Sequence, residues 1–500
     1  MTSATRHAAF ATPLRCIALL AYLLAAQAGA AGPVDPATAG DPAERRVGDA
    51  LRLLDLWIAE RVSYHDVPGL AIAVVRGERT IWAKGYGHAD LTTGAPVEVS
   101  TPFRLGSVSK VFTALAIMQL RDRGRLALDD PVTRHLPWFR IGSDYPGAPP
   151  ITVRHLLTHT SGLPREAAWP YWTTHAFPTR AQLREAVATQ QVFSPPGASY
   201  RYSNLGVALL GEVVEATSGE PFADYLAHHL FAPLGMTSST AAPDAPRVAA
   251  LARAYQRRRA GEPRREIAYY DTGVFAPMGG VVSTTDDLSK LVALLLTADP
   301  GGPATPAPGR VIAAPTLAEM TRAQFVYPSF AGGRGLGFAV SRRNERTFVG
   351  HGGWIGGHRA DLTCDPGRRL GVVVLTNADD APPGPFARQA LDLVGKALDA
   401  PAPPAAERQA DPAWAPYLGT YTDPWGWEIE VLTLDGGLVL YEHDYPPDDD
   451  PAAAFNRLIP VAGEAHTFTM GDGERVRFEL NADGTVRRLQ RRYELLTPVR

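Results

Sequence analysis

Cysteine is nearly absent from these 500 residues: only Cys16 and Cys364 occur. If Cys16 leaves with an N-terminal signal, Cys364 stands alone and an intrachain disulfide is excluded. The fold must then be held by its core, and Cys364 reads as a small buried hydrophobe. Lysine is scarce too. Lys84, Lys110, Lys290 and Lys396 are the only four, so a lysine inside a motif carries information. A surplus of one charge is also lacking. Lys and Arg total 49 against 52 Asp and Glu, and a formal net charge of -3 argues against nucleic acid as a partner. Past the N-terminus, no apolar run approaches the ~18 residues that a membrane span needs. Metal-ligand spacing is missing as well. His155 and His159 stand four apart, but Leu156, Leu157 and Thr158 lie between them. No glutamate is placed as a base and no third ligand is near, so a structural role is expected, with no metal and no cofactor.

What is present suits a globular chain of more than one domain. Hydrophobic residues make up 45% and charged residues 20%, which excludes disorder or a fibrous structure. The length implies two or three domains. Arg6 and Arg15, an apolar run over 16–26 and small residues after it read as a secretory signal over 1–30. The mature protein is therefore expected to be periplasmic or extracellular, with no stable membrane span after cleavage. A flexible leader is expected over 31–44.

From 45 to 398 the pattern is α/β. A helix is expected at 47–62. Strands are expected at 69–76 and 80–87 around a turn at Gly77. A helical middle follows, then strands at 337–340, 347–350 and 370–376 and a helix at 385–398. This predicts a sheet domain with an all-helical insertion. A Pro/Ala-rich linker covers 399–412. Short strands at 417–421, 428–434, 438–442, 467–470, 476–480 and 486–491 then predict a small all-β domain over 413–500, read as a barrel.

Three elements carry chemistry. In Gly106-Ser107-Val108-Ser109-Lys110, Ser107 opens an apolar helical pattern and Lys110 follows on the same face. Burial there would lower the lysine pKa and let a neutral amine take the Ser107 proton. No other serine has a lysine three residues on. A capping serine with a snorkelling lysine is the structural alternative. In Tyr202-Ser203-Asn204, a phenol can relay a proton and an amide can orient a carbonyl or the lysine. The alternative is a helix cap beside a packed tyrosine. In His351-Gly352-Gly353-Trp354, two glycines at a strand edge let a substrate approach the backbone. The N–H groups of Trp354 and Ser107 are the candidate oxyanion donors.

Ser-x-x-Lys, Tyr-x-Asn and Lys/His-x-Gly, in this order, resemble the serine β-lactamases, penicillin-binding proteins and related esterases and D-peptidases. The segments 103–120, 151–164, 202–219, 230–236 and 277–288 resemble the same family. The tail from Tyr417-Leu418-Gly419-Thr420-Tyr421 is similar to the lipocalin-like domain that follows some of these hydrolases. The resemblance implies a β-lactamase/transpeptidase-like fold: an antiparallel sheet flanked by helices, with an all-helical subdomain. It implies an acyl-enzyme at Ser107, proton transfer by Lys110 and Tyr202, and substrate or lysine support from Asn204. His351 stands where lysine is common. A mostly neutral histidine is a weaker partner for a substrate carboxylate, which favours ester, amide or D-amino-acid peptide hydrolysis over β-lactam turnover.

The alternatives are a β-lactamase or D,D-carboxypeptidase acting on β-lactams or peptidoglycan stem peptides, a non-catalytic envelope-binding protein, and an acyltransferase. The expected partner is a small-molecule or peptide substrate, with peptidoglycan fragments among the candidates. The oligomeric state stays open. Trp169, Tyr171 and Trp172 are candidates to shape an acyl pocket or simply to pack. Glu166 could activate a water, but nothing in the sequence ties it to that role. Asp444 and residues 448–450 read as a solvated acidic loop. The β-domain could cover the site mouth or mediate assembly.

Overall fold

A computed structural model describes residues 42–306, 310–401, 410–443, 454–491 and 494–499. The expected signal at 1–30, most of the expected leader, linker residues 402–409 and the acidic loop at Asp444 and 448–450 lie outside the described residues.

The first helix, α1, runs Pro42–Tyr64, so it begins inside the segment expected to be leader. A proline suits the first turn and Glu44 favours the positive helix start. Val47, Leu51, Leu54, Ile58 and Val62 recur every three or four residues and are all buried. Strands β1 (Gly69–Arg76) and β2 (Arg79–Asp90) follow, hinged at Gly77 as expected. Their alternation sorts the core into two layers. Leu70, Ile72 and Val74 face a cluster with Trp57 of α1 and Leu391 and Val394 of the late helix Gly384–Asp399. Ala71 and Val75 face the larger cluster built by the helical middle. Each fully buried aliphatic side chain contributes roughly 1.5–3 kcal/mol to holding these layers.

The sheet has nine strands. Ala95–Pro96 is β3; the later strands are β4 (Phe325–Val326), β5 (Gly332–Arg334), β6 (Ala339–Arg343), β7 (Arg346–Ile355), β8 (His358–Asp365) and β9 (Leu370–Thr376). Their order is β3-β2-β1-β9-β8-β7-β6-β5-β4. The first and last thirds of the domain therefore meet along β1 and β9, with Leu70 opposite Thr376. Strand β8 was not expected. His358, Ala360, Leu362 and Cys364 alternate inward, but the polar residues between them mask the period.

Two helices of the middle matter most for the site. Helix α2 (Ser109–Asp122) is buried on all sides from Ser109 to Leu120. Helix α3 (Asn204–Ser218) is capped by Ser203, whose Oγ accepts from Gly206 N–H at 2.8 Å and donates to the Pro164 carbonyl at 2.6 Å. Cys364 is buried and unpaired, as expected.

The C-terminal region is a closed eight-stranded antiparallel barrel. It closes through the pairs Tyr421–Pro498 and Thr422–Thr497. Two of its strands, Phe455–Pro460 and Glu494–Pro498, were not expected. The barrel rests on α1: Tyr441 joins the α1 core and its phenol donates to Glu60 at 3.1 Å, and Arg52 donates to the Thr433 carbonyl at 2.8 Å. Among the described residues, no helix is long and apolar enough to cross a membrane.

Candidate active site

Ser107 sits in the 3-10 turn Gly106–Val108 that leads into α2. Lys110 is one helical turn on, 2% exposed, with Nζ 3.0 Å from Ser107 Oγ. Nζ also donates to the Met278 carbonyl at 2.6 Å. That carbonyl belongs to a short turn, Ala276–Gly279, which grips α2 a second time: Thr113 Oγ1 donates to the Pro277 carbonyl at 2.7 Å. Tyr202, 95 residues from Ser107 in the chain, donates its phenol to Ser107 Oγ at 2.8 Å. The three side chains named from sequence therefore meet at one oxygen.

Electrostatics sets their protonation. Burial holds the Lys110 ammonium well below its ordinary pKa of 10.5; the Glu166 carboxylate opposes this, and Arg165 and Arg334 reinforce it. Burial also raises the Tyr202 phenol above 10, so it is a donor at neutral pH. Once deprotonated, the Lys110 amine has a lone pair for the Ser107 proton and still donates to the Met278 carbonyl. The arrangement can deprotonate the hydroxyl while the phenol supports the oxygen.

His159 helps aim Tyr202. It leaves its helix in a left-handed conformation, φ 57°. Its Nδ1 accepts the Ser203 N–H at 3.2 Å, and its ring lies 4.4 Å from that of Tyr202. His155 instead closes a capping box with Thr152. Both histidines are thus engaged in structure, and only His159 touches the site.

The candidate oxyanion position lies where two backbone segments cross. Strands β7 and β8 turn through Gly356 and Gly357, with φ of 46° and 82°. Ile355 and His358 close this two-residue turn, so the next pair, Trp354–Arg359, is a non-hydrogen-bonded one and the Trp354 N–H points away from β8. On its other side β7 pairs with β6 only as far as Gly350, and the Ser107 turn occupies the space beyond. A Cβ on Gly353 would lie 1.9 Å from the Leu105 carbonyl oxygen and 3.1 Å from the Ser107 nitrogen. This close crossing packs the Ser107 turn directly against the Gly353–Trp354 backbone, where the Ser107 and Trp354 N–H groups are the candidate oxyanion donors.

His351 is 7% exposed. Its Nδ1 meets the Gly352 carbonyl at 2.7 Å, so Nδ1 carries the proton. Its Nε2 is a buried acceptor without a partner. Burial, with the charges of Lys110 and Arg334, lowers its pKa to about 3. A neutral acceptor at this place does not attract a carboxylate.

Asn204 is 3% exposed, and its Nδ2 donates to Glu166 Oε1 at 2.6 Å instead of reaching Lys110. Tyr171 also donates to Glu166, at Oε2. Trp172 lines the cavity, while Trp169 is partly exposed and donates to the Ala176 carbonyl at 3.2 Å. Sequence reasoning did not place Glu166, Arg334 or the Met278 carbonyl in the site. For Glu166 the available signal was its position two residues past the 151–164 segment. Ser107 opens into a cavity of about 740 Å³ lined by Glu166, Trp172, Asn204, Tyr270 and Trp354, among others. None of the barrel's described residues lines it.

The buried histidines predict acid lability. His351 and His358 both have folded pKa values near 3, against an ordinary 6.5. The unfolded chain binds protons between those values that the folded chain refuses. Their contribution to stability is whole above 6.5 and is lost as pH falls toward 3. Asp361, raised to about 6, acts in the opposite sense but by a smaller shift. The melting temperature is therefore expected to drop on acidification from about pH 6.5 to 4. The drop should be shallower in His358→Phe, whose ring would keep the edge-on packing against Phe103. Thermal melts at stepped pH check this.

The sequence profile of the family described as Beta-lactamase matches residues 54–396. Over 179 residues the chain is 33% identical to Penicillin-binding protein 4* of Bacillus subtilis (strain 168), an alignment covering 35% of this chain and 38% of that one. The chain thus spans about two fifths of the length of the first curated relatives it matches. The fold is similar to that of the octameric penicillin-binding protein homologue from Pyrococcus abyssi, with a TM-score of 0.61 at 24% identity, over 89% of this chain and 99% of that one. It is also similar to EstCE1, described as a hydrolase with promiscuous acyltransferase activity, with a TM-score of 0.59 at 27% identity, over 70% and 99% of the two chains.

Proposed function

This chain belongs to the beta-lactamase family, and on that premise we propose that it is an exported serine hydrolase that cleaves an ester, amide or D-amino-acid peptide through an acyl-enzyme at Ser107. The observation that carries the reading is the meeting of Lys110 Nζ and the Tyr202 phenol at Ser107 Oγ, at 3.0 and 2.8 Å. Ser107 Oγ attacks the carbonyl carbon and its proton passes to Lys110. The carbonyl oxygen, now negative, is held by the N–H groups of Ser107 and Trp354. The bond to the leaving alcohol or amine breaks, and that group takes a proton by way of Lys110 or Tyr202. Water then repeats the attack on the acyl-enzyme and releases the acid. No step calls for a metal or cofactor. Export is supported by the charged and apolar N-terminal pattern. The closed up-and-down order of the barrel supports a lipocalin-like reading of the C-terminal domain.

One observation favours the β-lactamase or D,D-carboxypeptidase reading. Arg334 donates to the phenols of Tyr200 and Tyr327 at 2.5 and 2.8 Å, and no carboxylate among the described residues pairs with it. Its guanidinium lies 5.8 Å from the Tyr202 ring, where a substrate carboxylate could use it in place of the missing lysine.

One experiment separates these readings. Intact protein is incubated with a fluorophosphonate probe and, in parallel, with esters, D-peptides and nitrocefin. A single adduct is expected, mapped to Ser107, with ester or peptide turnover exceeding nitrocefin turnover. Fast nitrocefin hydrolysis or D-Ala release would favour the second reading. An unlabelled Ser107 without turnover on any substrate would remove both.

A further inference from the structure

Arg104 is a buried cation without a bonded anion. It is 3% exposed and lies on a two-residue strand, Phe103–Arg104, that pairs with Val282–Ser283 just ahead of the Ser107 turn. A guanidinium keeps its charge in a protein, and burying a charge is costly unless it is paired. Among the described residues no carboxylate lies within ion-pair distance of it, and its one hydrogen-bond acceptor is the Tyr270 carbonyl at 3.0 Å. The Tyr269 and Tyr270 rings lie 4.8 and 4.3 Å away, and Asp271 acts on it only from further off. Ring faces attract a cation but bring no counter-charge.

Arg104 borders a small cavity of about 50 Å³. One water needs roughly 10–15 Å³ of such space, so this cavity takes a few waters or one small ion and excludes a sugar or a nucleotide. His358 lines it as well. That residue is 2% exposed, and its ring has no hydrogen-bond partner among the described residues. A neutral imidazole always keeps one N–H, so His358 can donate without gaining a proton. Two further charges in the wall, Arg253 and Glu266, are half-exposed and face each other at 3.4 Å. The place of the cavity matters as much as its lining. Arg104 leads through Leu105 into the Ser107 turn. His358 opens β8, directly past the Gly356–Gly357 turn that follows Trp354 and Ile355. Gly356 and Ile267 line both this cavity and the larger one beside Ser107, so the two share a wall.

We propose that Arg104 and His358 form a site for a small monovalent anion, chloride or a carboxylate the size of formate, which braces the Ser107 turn against the β7–β8 turn. The anion supplies the charge that the fold withholds from Arg104 and accepts hydrogen bonds without having to donate any. Held by both side chains, it ties together the two segments whose crossing carries the candidate oxyanion donors. The site lies outside the hydrolase reading, and its occupancy can be measured without turnover.

The test melts the full chain in rising sodium chloride or sodium formate. Sodium gluconate holds the ionic strength constant and serves as an anion too large for the cavity. Chloride or formate is expected to raise Tm saturably, by about 2 °C at roughly ten times its Kd. Whichever half-saturates at the lower concentration is the anion the site prefers. Arg104→Met, which removes the charge and keeps the length, should abolish the rise. Fluorophosphonate labelling of Ser107 should quicken by about fivefold with the same half-saturation, the low end of coupling between two sites. Melting curves alike in all three anions overturn the site. A saturable rise in Tm with an unchanged labelling rate overturns the bracing. If Ser107 takes no label in any salt, the hydrolase reading falls and the melts still decide the site. The wild-type series decides it even if Arg104→Met does not fold.

Discussion

Lys110→Arg is expected to slow acylation of Ser107 by roughly 10²–10⁴-fold, the range for losing a positioned general base. The argument is about the proton, not the charge. Lysine can be neutral here because burial strips its ammonium of water, and Glu166 only partly offsets that. A guanidinium does not give up its proton in a protein, so arginine keeps a donor beside Met278 and loses the acceptor for the Ser107 proton. Lys110→Met, neutral and of similar length, should show the same loss without adding a buried charge. The two variants together separate a missing base from a disturbed fold. Stopped-flow labelling by a fluorophosphonate reads the step directly. In wild-type protein the rate should rise with pH as Lys110 loses its proton, with its inflection well below 10.5. Both variants should lose that rise. Wild-type labelling rates in Lys110→Met would show that another group takes the proton.

The elements that carry Ser107, Lys110 and Tyr202 were legible because each joins a short motif to a strong periodic pattern. Residues 109–120 are apolar enough to be buried all round, and burial is what makes Lys110 chemically useful. The structural alternative for Tyr202-Ser203-Asn204 also holds, since Ser203 caps α3. One segment does both jobs, and the cap is what points its neighbours into the site. Other features left no pattern to read. The Met278 carbonyl is backbone, which any residue type could supply. Glu166 meets Asn204 across 38 residues through a loop without periodicity. The four-residue spacing of His155 and His159 suggested a shared helix face, but the left-handed turn at 159 sends the second ring to the Tyr202 segment.

The barrel shows the same division. Six strands announced themselves by alternation and by Gly or Asn turns. Phe455–Pro460 carries Asn456, Arg457 and Pro460, and Glu494–Pro498 is five residues long with a proline at its end. Their place is set by closure of the sheet, which satisfies the edge of Gly419–Thr422, and closure is a tertiary fact. Where the barrel docks was also not legible. Its seat on α1 depends on Tyr441 and Leu432 facing the sheet domain, and alternation alone does not say which apolar face goes outward.

Gly353→Ala is expected to lower kcat by roughly 10²–10³-fold with a smaller change in KM, the signature of a lost oxyanion contact. The glycine is not there for its backbone angles, since its φ is outside the left-handed region. It is there for space. A methyl group would sit 1.9 Å from the Leu105 carbonyl oxygen, far inside contact distance, and the obstacle is backbone on both sides. Relief requires β7 and the Ser107 turn to move apart. That movement separates the two N–H donors that must converge on one oxygen, and donors placed about 1 Å too far away no longer stabilise the charge that develops there. Its neighbour supplies the control. A Cβ on Gly352 would find nothing nearer than the Ala360 carbonyl oxygen at 3.9 Å, so Gly352→Ala should keep most of its rate. Comparing burst acylation in the two variants, with circular dichroism to confirm both are folded, isolates the effect of position from that of adding a methyl. Equal rates in the two would mean that the oxyanion is bound elsewhere.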